Sequence, residues 1–128
     1  MWETELLEKY PKTFKVLGYF ECNEGWKDLI DGVSAKIETV NNKYPESSYI
    51  HAVQIKQKFG GLRYYISLEE IDPTDVNYVY SIIADAEKMS YTICEFCGAP
   101  AKVSKWGYNI ETACDEHSNS RRRFSMDK

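Results

Sequence analysis

Three cysteines and one histidine near the C-terminal end carry the clearest chemistry in this chain: Cys94 and Cys97, then Cys114 and His117. They read Cys-x2-Cys, a spacer of 16 residues, and Cys-x2-His. Thiolate and imidazole are the donors that a tetrahedral zinc ion takes, and a two-residue gap lets one short turn aim both members of a pair at one ion. Between the pairs, residues 102–106 and 109–113 read as the strands of a small hairpin that turns at Gly107-Tyr108. The order is knuckle, hairpin, then two ligands where a helix would begin, which is the layout of a treble-clef zinc finger. Four donors close the coordination sphere, so structural zinc is expected here; a catalytic zinc keeps one position open for water. Structural zinc supplies on the order of 10–16 kcal/mol in isolated finger peptides at neutral pH. A segment this short has little else to fold around.

A second set of residues belongs to a different hairpin, over residues 49–68, with Gly60-Gly61 as its two-residue turn. That turn would pair Lys58 with Arg63, Gln57 with Tyr64 and Lys56 with Tyr65. Val53, Ile55, Phe59, Leu62, Tyr64, Ile66 and Leu68 then form the core face. The opposite face carries Lys56, Lys58, Arg63 and Tyr65, with Gln54 and Ser67 beside them. Cations directly opposed across strands repel, and cations beside an aromatic ring suit a phosphate or a stacked base. Exposed strands also carry lysines simply to discourage edge pairing, and Glu69 and Glu70 are close enough in sequence to neutralise the pair. A third basic group, Arg121, Arg122 and Arg123, follows the finger and reads as a polar tail that would hold any phosphate grip close to it.

The remaining chemistry-bearing residues read as structural. His51 has no partner acid or nucleophile near it in sequence, and Cys22, just before a helix, reads as a partly buried filler although a helix N-terminus can lower a thiol pKa. Asp28 and Asp31 form no hydrolytic carboxylate pattern.

These sites need a scaffold, and the apolar spacing supplies one. Residues 3–10 predict a short helix that ends at Pro11. A longer helix is predicted from Asn23, as N-cap, to about residue 42, burying Trp26, Leu29, Ile30, Val33, Ile37 and Val40. Asp72 followed by Pro73 predicts the start of a third helix, reaching to about Ser90 and burying Val76, Val79, Ile83 and Ala86. The expected fold class is α+β: two or three helices on a small antiparallel sheet, with the zinc finger attached C-terminally. Its parts are a core domain at 1–91, the finger at 92–119 and the basic tail at 120–128.

A net charge of −4 excludes a generally basic nucleic-acid binder while allowing a local basic patch. No apolar run reaches membrane-spanning length, and the acidic N-terminus is unlike a signal peptide. One cysteine outside a thiolate metal site fits a reducing interior, so a cytoplasmic protein is expected. Ten tyrosines would serve either a core or an adhesive surface, and free strand edges would permit a homodimer.

Three stretches carry a resemblance: Glu21-Cys22-Asn23-Glu24-Gly25-Trp26-Lys27-Asp28-Leu29-Ile30, Gln54-Ile55-Lys56-Gln57-Lys58-Phe59-Gly60-Gly61-Leu62-Arg63-Tyr64-Tyr65 and Cys94-Glu95-Phe96-Cys97-Gly98-Ala99-Pro100. In this order they resemble a family of small uncharacterised proteins of bacteriophages and prophages. The resemblance brings no catalytic residue; it implies a viral or mobile-element setting, in which small proteins bind host machinery or signalling molecules. Residues 94–117 alone are similar in layout to the finger of TraR-type regulators of RNA polymerase, with His117 in place of the last cysteine and without the long coiled-coil hairpin of those proteins. The leading expectation is therefore a non-enzymatic binding protein with structural zinc and a host protein or signalling molecule as partner. A nucleotide or nucleic-acid binder using Lys56, Lys58, Arg63 and Tyr65 with the arginines at 121–123 is the alternative, and a zinc-dependent hydrolase is a third reading.

Overall fold

A computed structural model describes residues 1–118, so the arginines at 121–123 lie outside the described residues. The order is α1 (Trp2–Lys9), a single 3-10 turn (Glu24–Trp26), α2 (Lys27–Asn41), β1 (Tyr49–Lys58), β2 (Gly61–Glu69), α3 (Pro73–Ser90), β3 (Lys102–Trp106) and β4 (Asn109–Ala113). Strands β1 and β2 make one antiparallel pair and β3 and β4 another. Among the described residues, three helices and two small antiparallel sheets make an α+β fold. Between α1 and α2, the chain at Glu21 lies parallel to β1, its amide donating to the Ile55 carbonyl and its carbonyl accepting from Gln57.

Helix α2 is held by its apolar stripe. Ile30, Val33, Ile37 and Val40 recur at helical spacing and are buried with Trp26, which is fully enclosed. Helix α3 begins as the sequence predicts: the Asp72 carboxylate accepts from the Thr74 amide at 2.8 Å, and Pro73 occupies the first helical position. Val79, Ile82 and Ala86 are its buried face, and Val76 and Ile83 pack at the margin. Asn23 precedes the 3-10 turn but its side chain makes no cap bond; it is drawn away to Glu95, 72 residues on.

Gly32, in the middle of α2, is exposed, and a Cβ placed there meets nothing within 4 Å. Gly32→Ala should therefore stabilise the protein by about 0.5–1 kcal/mol through the restricted unfolded chain, read as a higher urea midpoint with an unchanged slope.

Asp31 ties α2 to the end of α1. Its carboxylate accepts from the Tyr10 hydroxyl at 2.5 Å and from the Lys9 ammonium at 3.0 Å. Burial opposes ionisation, yet those two donors outweigh it and hold the carboxyl below its ordinary value. A depressed carboxyl stabilises the fold above its unfolded pKa and loses that contribution as the pH falls through the folded value. Asp31→Asn is thus expected to cost about 1 kcal/mol at neutral pH and to flatten the acid limb of the stability profile, measured by denaturant titration from neutral pH downward.

The β1–β2 hairpin differs from the register predicted above. Lys58 pairs with Gly61, so the turn residues are Phe59 and Gly60, with φ of 55° and 82°. The observed cross-strand pairs are Gln57 with Leu62, Lys56 with Arg63, Ile55 with Tyr64 and Gln54 with Tyr65. Phe59 is 60% exposed at the turn. Val53 is the extra residue of a bulge between Ala52 and Gln54 and is 44% exposed. The bulge resets the alternation, which is why Ile50 and Ala52 on one side of it and Ile55 on the other all reach the core. The observed turn is held by its own bonds: the Gly60 amide donates to Gln57 Oε1 at 2.7 Å, and the Gly60 carbonyl accepts from Thr112 Oγ1 at 2.6 Å. Gly61 instead opens β2, where a Cβ would stand 2.6 Å from Cζ of the Tyr91 ring.

Candidate metal centre

Each ligand pair is set by its own turn. After α3 the chain forms a short antiparallel bridge between Ile93 and Pro100. Inside that bridge the Cys94 amide donates to the Ala99 carbonyl at 2.7 Å, and the Gly98 amide donates to the Cys94 carbonyl at 2.9 Å. Gly98 takes a φ of 84°, a left-handed conformation natural to glycine. This knuckle aims Cys94 and Cys97 at one point. The second pair sits just past β4, where the His117 amide donates to the Cys114 carbonyl at 3.0 Å in a single turn. The intervening hairpin, β3 and β4, matches the predicted limits and turns at Gly107 with a φ of 61°.

The four donor atoms all lie within 4.8 Å of one another. Cys94 Sγ is 3.7 Å from His117 Nδ1, Cys97 Sγ is 3.7 Å from Cys114 Sγ, and Cys114 Sγ is 3.1 Å from His117 Nδ1. Bond lengths of about 2.3 Å to sulfur and about 2.0–2.1 Å to nitrogen place neighbouring donors of a tetrahedron about 3.6–3.8 Å apart. Two of the three separations have that value, and the third is somewhat tighter. The donor set therefore fits a metal ion closed by four protein ligands. Cys94 is buried; burial alone would push its thiol up, but the amides of Cys114, Cys97 and Phe96 directed at it bring it down to about 7. A thiol so placed gives up its proton readily, as ligation demands. The Phe96 ring lies 5.7 Å from the His117 ring, tilted by 31°.

The centre is fastened to the helical core through backbone rather than by side-chain packing alone. The Gly25 amide donates to the Glu95 carbonyl at 2.7 Å, and Trp26 Nε1 donates to the Ile93 carbonyl at 2.9 Å. The buried Glu95 carboxylate accepts from the amide and the side chain of Asn23 at 3.2 and 2.9 Å. Burial raises the Glu95 pKa, and the two Asn23 donors offset part of that rise. From the other side, Thr112 Oγ1 donates to the Gly60 carbonyl at 2.6 Å, and the Glu95 amide donates to Thr112 at 3.0 Å. The finger thus sits between the start of α2 and the β1–β2 turn.

Sequence reasoning found the four ligands but not this seat. Gly25, Trp26, Glu95 and Thr112 carry it. The only signal in the chain was that Gly25-Trp26, Gly60-Gly61 and the knuckle recur in the three stretches quoted for the resemblance.

The other candidate residues fall as follows. Lys56, Lys58, Arg63 and Tyr65 all belong to the β1–β2 hairpin, with Tyr65 exposed, but the cation opposite Arg63 is Lys56 rather than Lys58. Arg63 is half-buried and paired to Glu87 of α3 at 2.8 Å, with a second bond to the Lys58 carbonyl. Its neutralising partner is therefore neither Glu69 nor Glu70. Cys22 packs against the core, and burial with nearby Glu95 pushes its thiol up to about 12; the helix beyond it does not activate it. His51 lies half-buried against Tyr49, the rings stacked 4.0 Å apart at 13°.

No described helix is long and apolar enough to cross a membrane. Neither a protein-family model, nor a curated protein, nor a solved structure matches the chain.

Proposed function

We propose that this chain is a non-enzymatic binding protein, phage- or prophage-encoded and acting in the host cytoplasm, whose Cys94–Cys97–Cys114–His117 centre holds a structural zinc ion. The observation that carries the reading is the four-donor cluster, spaced for a closed tetrahedron and tied by backbone bonds to the core. A closed set leaves no coordination position for an attacking water, so the metal supplies rigidity and the surface supplies function. That surface includes Phe59 at one hairpin turn, and Val103 and Tyr108 on the finger hairpin, all exposed. The bond from Thr112 to the Gly60 carbonyl ties the two hairpins to each other. Rigid exposed aromatics with few side-chain torsions are economical anchors for a host protein. The phage setting rests on the three stretches of sequence that carry the resemblance.

The nucleic-acid alternative is weakened by the engagement of Arg63 with Glu87, which removes one of its cations. The hydrolase reading requires one ligand to leave the metal.

Metal analysis with X-ray absorption at the zinc edge tests this function. The expected result is one zinc per chain with three sulfur and one nitrogen neighbours. A first shell containing a water oxygen, or protein isolated without metal whose C-terminal region is nonetheless ordered, would overturn it.

A further inference from the structure

Far from the metal in sequence, two connecting segments and the start of β1 converge on a cleft of about 380 Å³. Lys12 and Lys15 come from the turn after α1, Tyr44 from the loop after α2, and Tyr49 and His51 from the first residues of β1. Its volume lies in the range of small-molecule sites.

The cleft is built on rigid supports. The Thr13 carbonyl accepts from the Ala52 amide at 2.9 Å, while the Thr13 amide and hydroxyl both donate to Glu38, each at 2.8 Å. These bonds fix the lysine-bearing turn against β1 and α2. Asn41 closes the opposite end of the loop, accepting from the Ile50 amide at 2.8 Å and donating to its carbonyl at 3.0 Å. The Tyr44 hydroxyl donates to Asp75 at 2.6 Å and accepts from the Asp72 amide at 3.1 Å, so its ring is held in place.

The lining chemistry is specific. Lys12 and Lys15, both exposed, form no ion pair with a described residue, and neither do Lys36, Lys56 and Lys58 elsewhere. What distinguishes Lys12 and Lys15 is that both line this one cleft. A single acid, Glu46, lies among the lining residues. Tyr49 and His51, two apart on one strand face, stack nearly parallel and both line the cleft, bringing aromatic surface to it. Burial, and after it the charge of nearby Lys15, lower the His51 pKa below its ordinary value.

We propose that this cleft binds a small phosphomonoester bearing a flat ring, with Lys12 and Lys15 taking the phosphate and Tyr49, His51 and Tyr44 taking the ring. This site is separate from the metal centre and goes beyond the reading offered for it. Two cations lining one cleft match a dianionic phosphate, and aromatic surface on a fixed backbone suits a planar ring with little ordering on binding.

The test uses the zinc-loaded full chain, titrated with AMP, ribose 5-phosphate, adenosine and inorganic phosphate, and followed by amide NMR shifts. AMP is expected to bind saturably with shifts centred on the backbone around Lys12, Lys15, Tyr49 and His51. The fragments should each bind at least about tenfold more weakly. Lys12→Glu/Lys15→Glu should lose AMP binding by at least about tenfold with an unchanged thermal midpoint, since both side chains are exposed. Tyr49→Ala should narrow the gap between AMP and ribose 5-phosphate. The proposal is overturned by absence of saturable shifts at millimolar AMP, by binding that survives the double charge reversal, or by loss of binding on Lys56→Glu/Lys58→Glu instead. Inorganic phosphate binding as tightly as AMP would overturn the ring contact.

Discussion

Stripping the metal with a chelator, or replacing one ligand in Cys97→Ser, is expected to unfold the C-terminal quarter and to weaken the helical core with it. The first effect follows from size: residues 92–118 contain two five-residue strands and one knuckle, too little apolar surface to fold alone. Metal binding in isolated fingers is worth on the order of 10–16 kcal/mol, comparable to the whole stability of a typical domain, about 5–15 kcal/mol. The second effect follows from the seat. Losing the finger strands the Trp26 indole without the Ile93 carbonyl, the Gly25 amide without Glu95, and the Gly60 carbonyl without Thr112. Each orphaned group buried away from water costs about 1–3 kcal/mol. The measurement is thermal unfolding with and without chelator, followed separately by tryptophan fluorescence and by amide NMR of the finger. Metal affinity should also fall steeply on acidification, because three thiols and an imidazole must shed protons to bind. Cys22→Ala is the control: it lies outside the cluster and should cost no more than about 1–2 kcal/mol. A Cys97→Ser protein that melts like the parent, with its finger resonances intact, would remove the metal from the account of this fold.

Gly25→Ala is expected to be nearly as damaging, though it adds one methyl group and touches no ligand. A Cβ at Gly25 would stand 2.5 Å from the carbonyl carbon and oxygen of Glu95 and closer still to the Cys94 carbonyl oxygen. Those atoms are backbone of the metal knuckle, so they cannot rotate aside as a side chain would. Either the knuckle lifts from the start of α2, breaking the bonds of Gly25, Asn23 and Trp26, or the 3-10 turn unwinds. The expected cost is about 3–5 kcal/mol, at the upper end for a single substitution. Metal content should persist while stability falls, which separates this variant from a ligand replacement. The contrast with Gly32 makes the comparison sharp: the same change two turns later should stabilise. If both alanine variants melt alike, the close approach of knuckle to helix is not a feature of the molecule in solution.

The basis of these expectations was unequally legible in the chain. Cys94, Cys97, Cys114 and His117 could be read as a ligand set because the constraint is local: each pair is three residues apart and one turn aims both donors. The β3–β4 limits, the Asp72-Pro73 helix start and the stripe of Ile30, Val33, Ile37 and Val40 were legible for the same reason, since caps and periodicity act within a few residues. Asn23 was misread as a capping side chain because its partner, Glu95, is remote in sequence. Local chemistry determined the α+β elements and the four donors. Tertiary structure decided the rest. Bonds of Gly60 to Gln57 and Thr112 hold the turn at Phe59-Gly60, and the bulge at Val53 resets the inward alternation. Arg63 finds Glu87 on a helix 24 residues away. Lys12, Tyr44, Tyr49 and His51 are brought to one cleft by two connections and the start of β1, which share no pattern. Contact and hydrogen bonding between distant segments set these outcomes, and neither leaves a periodic mark in sequence.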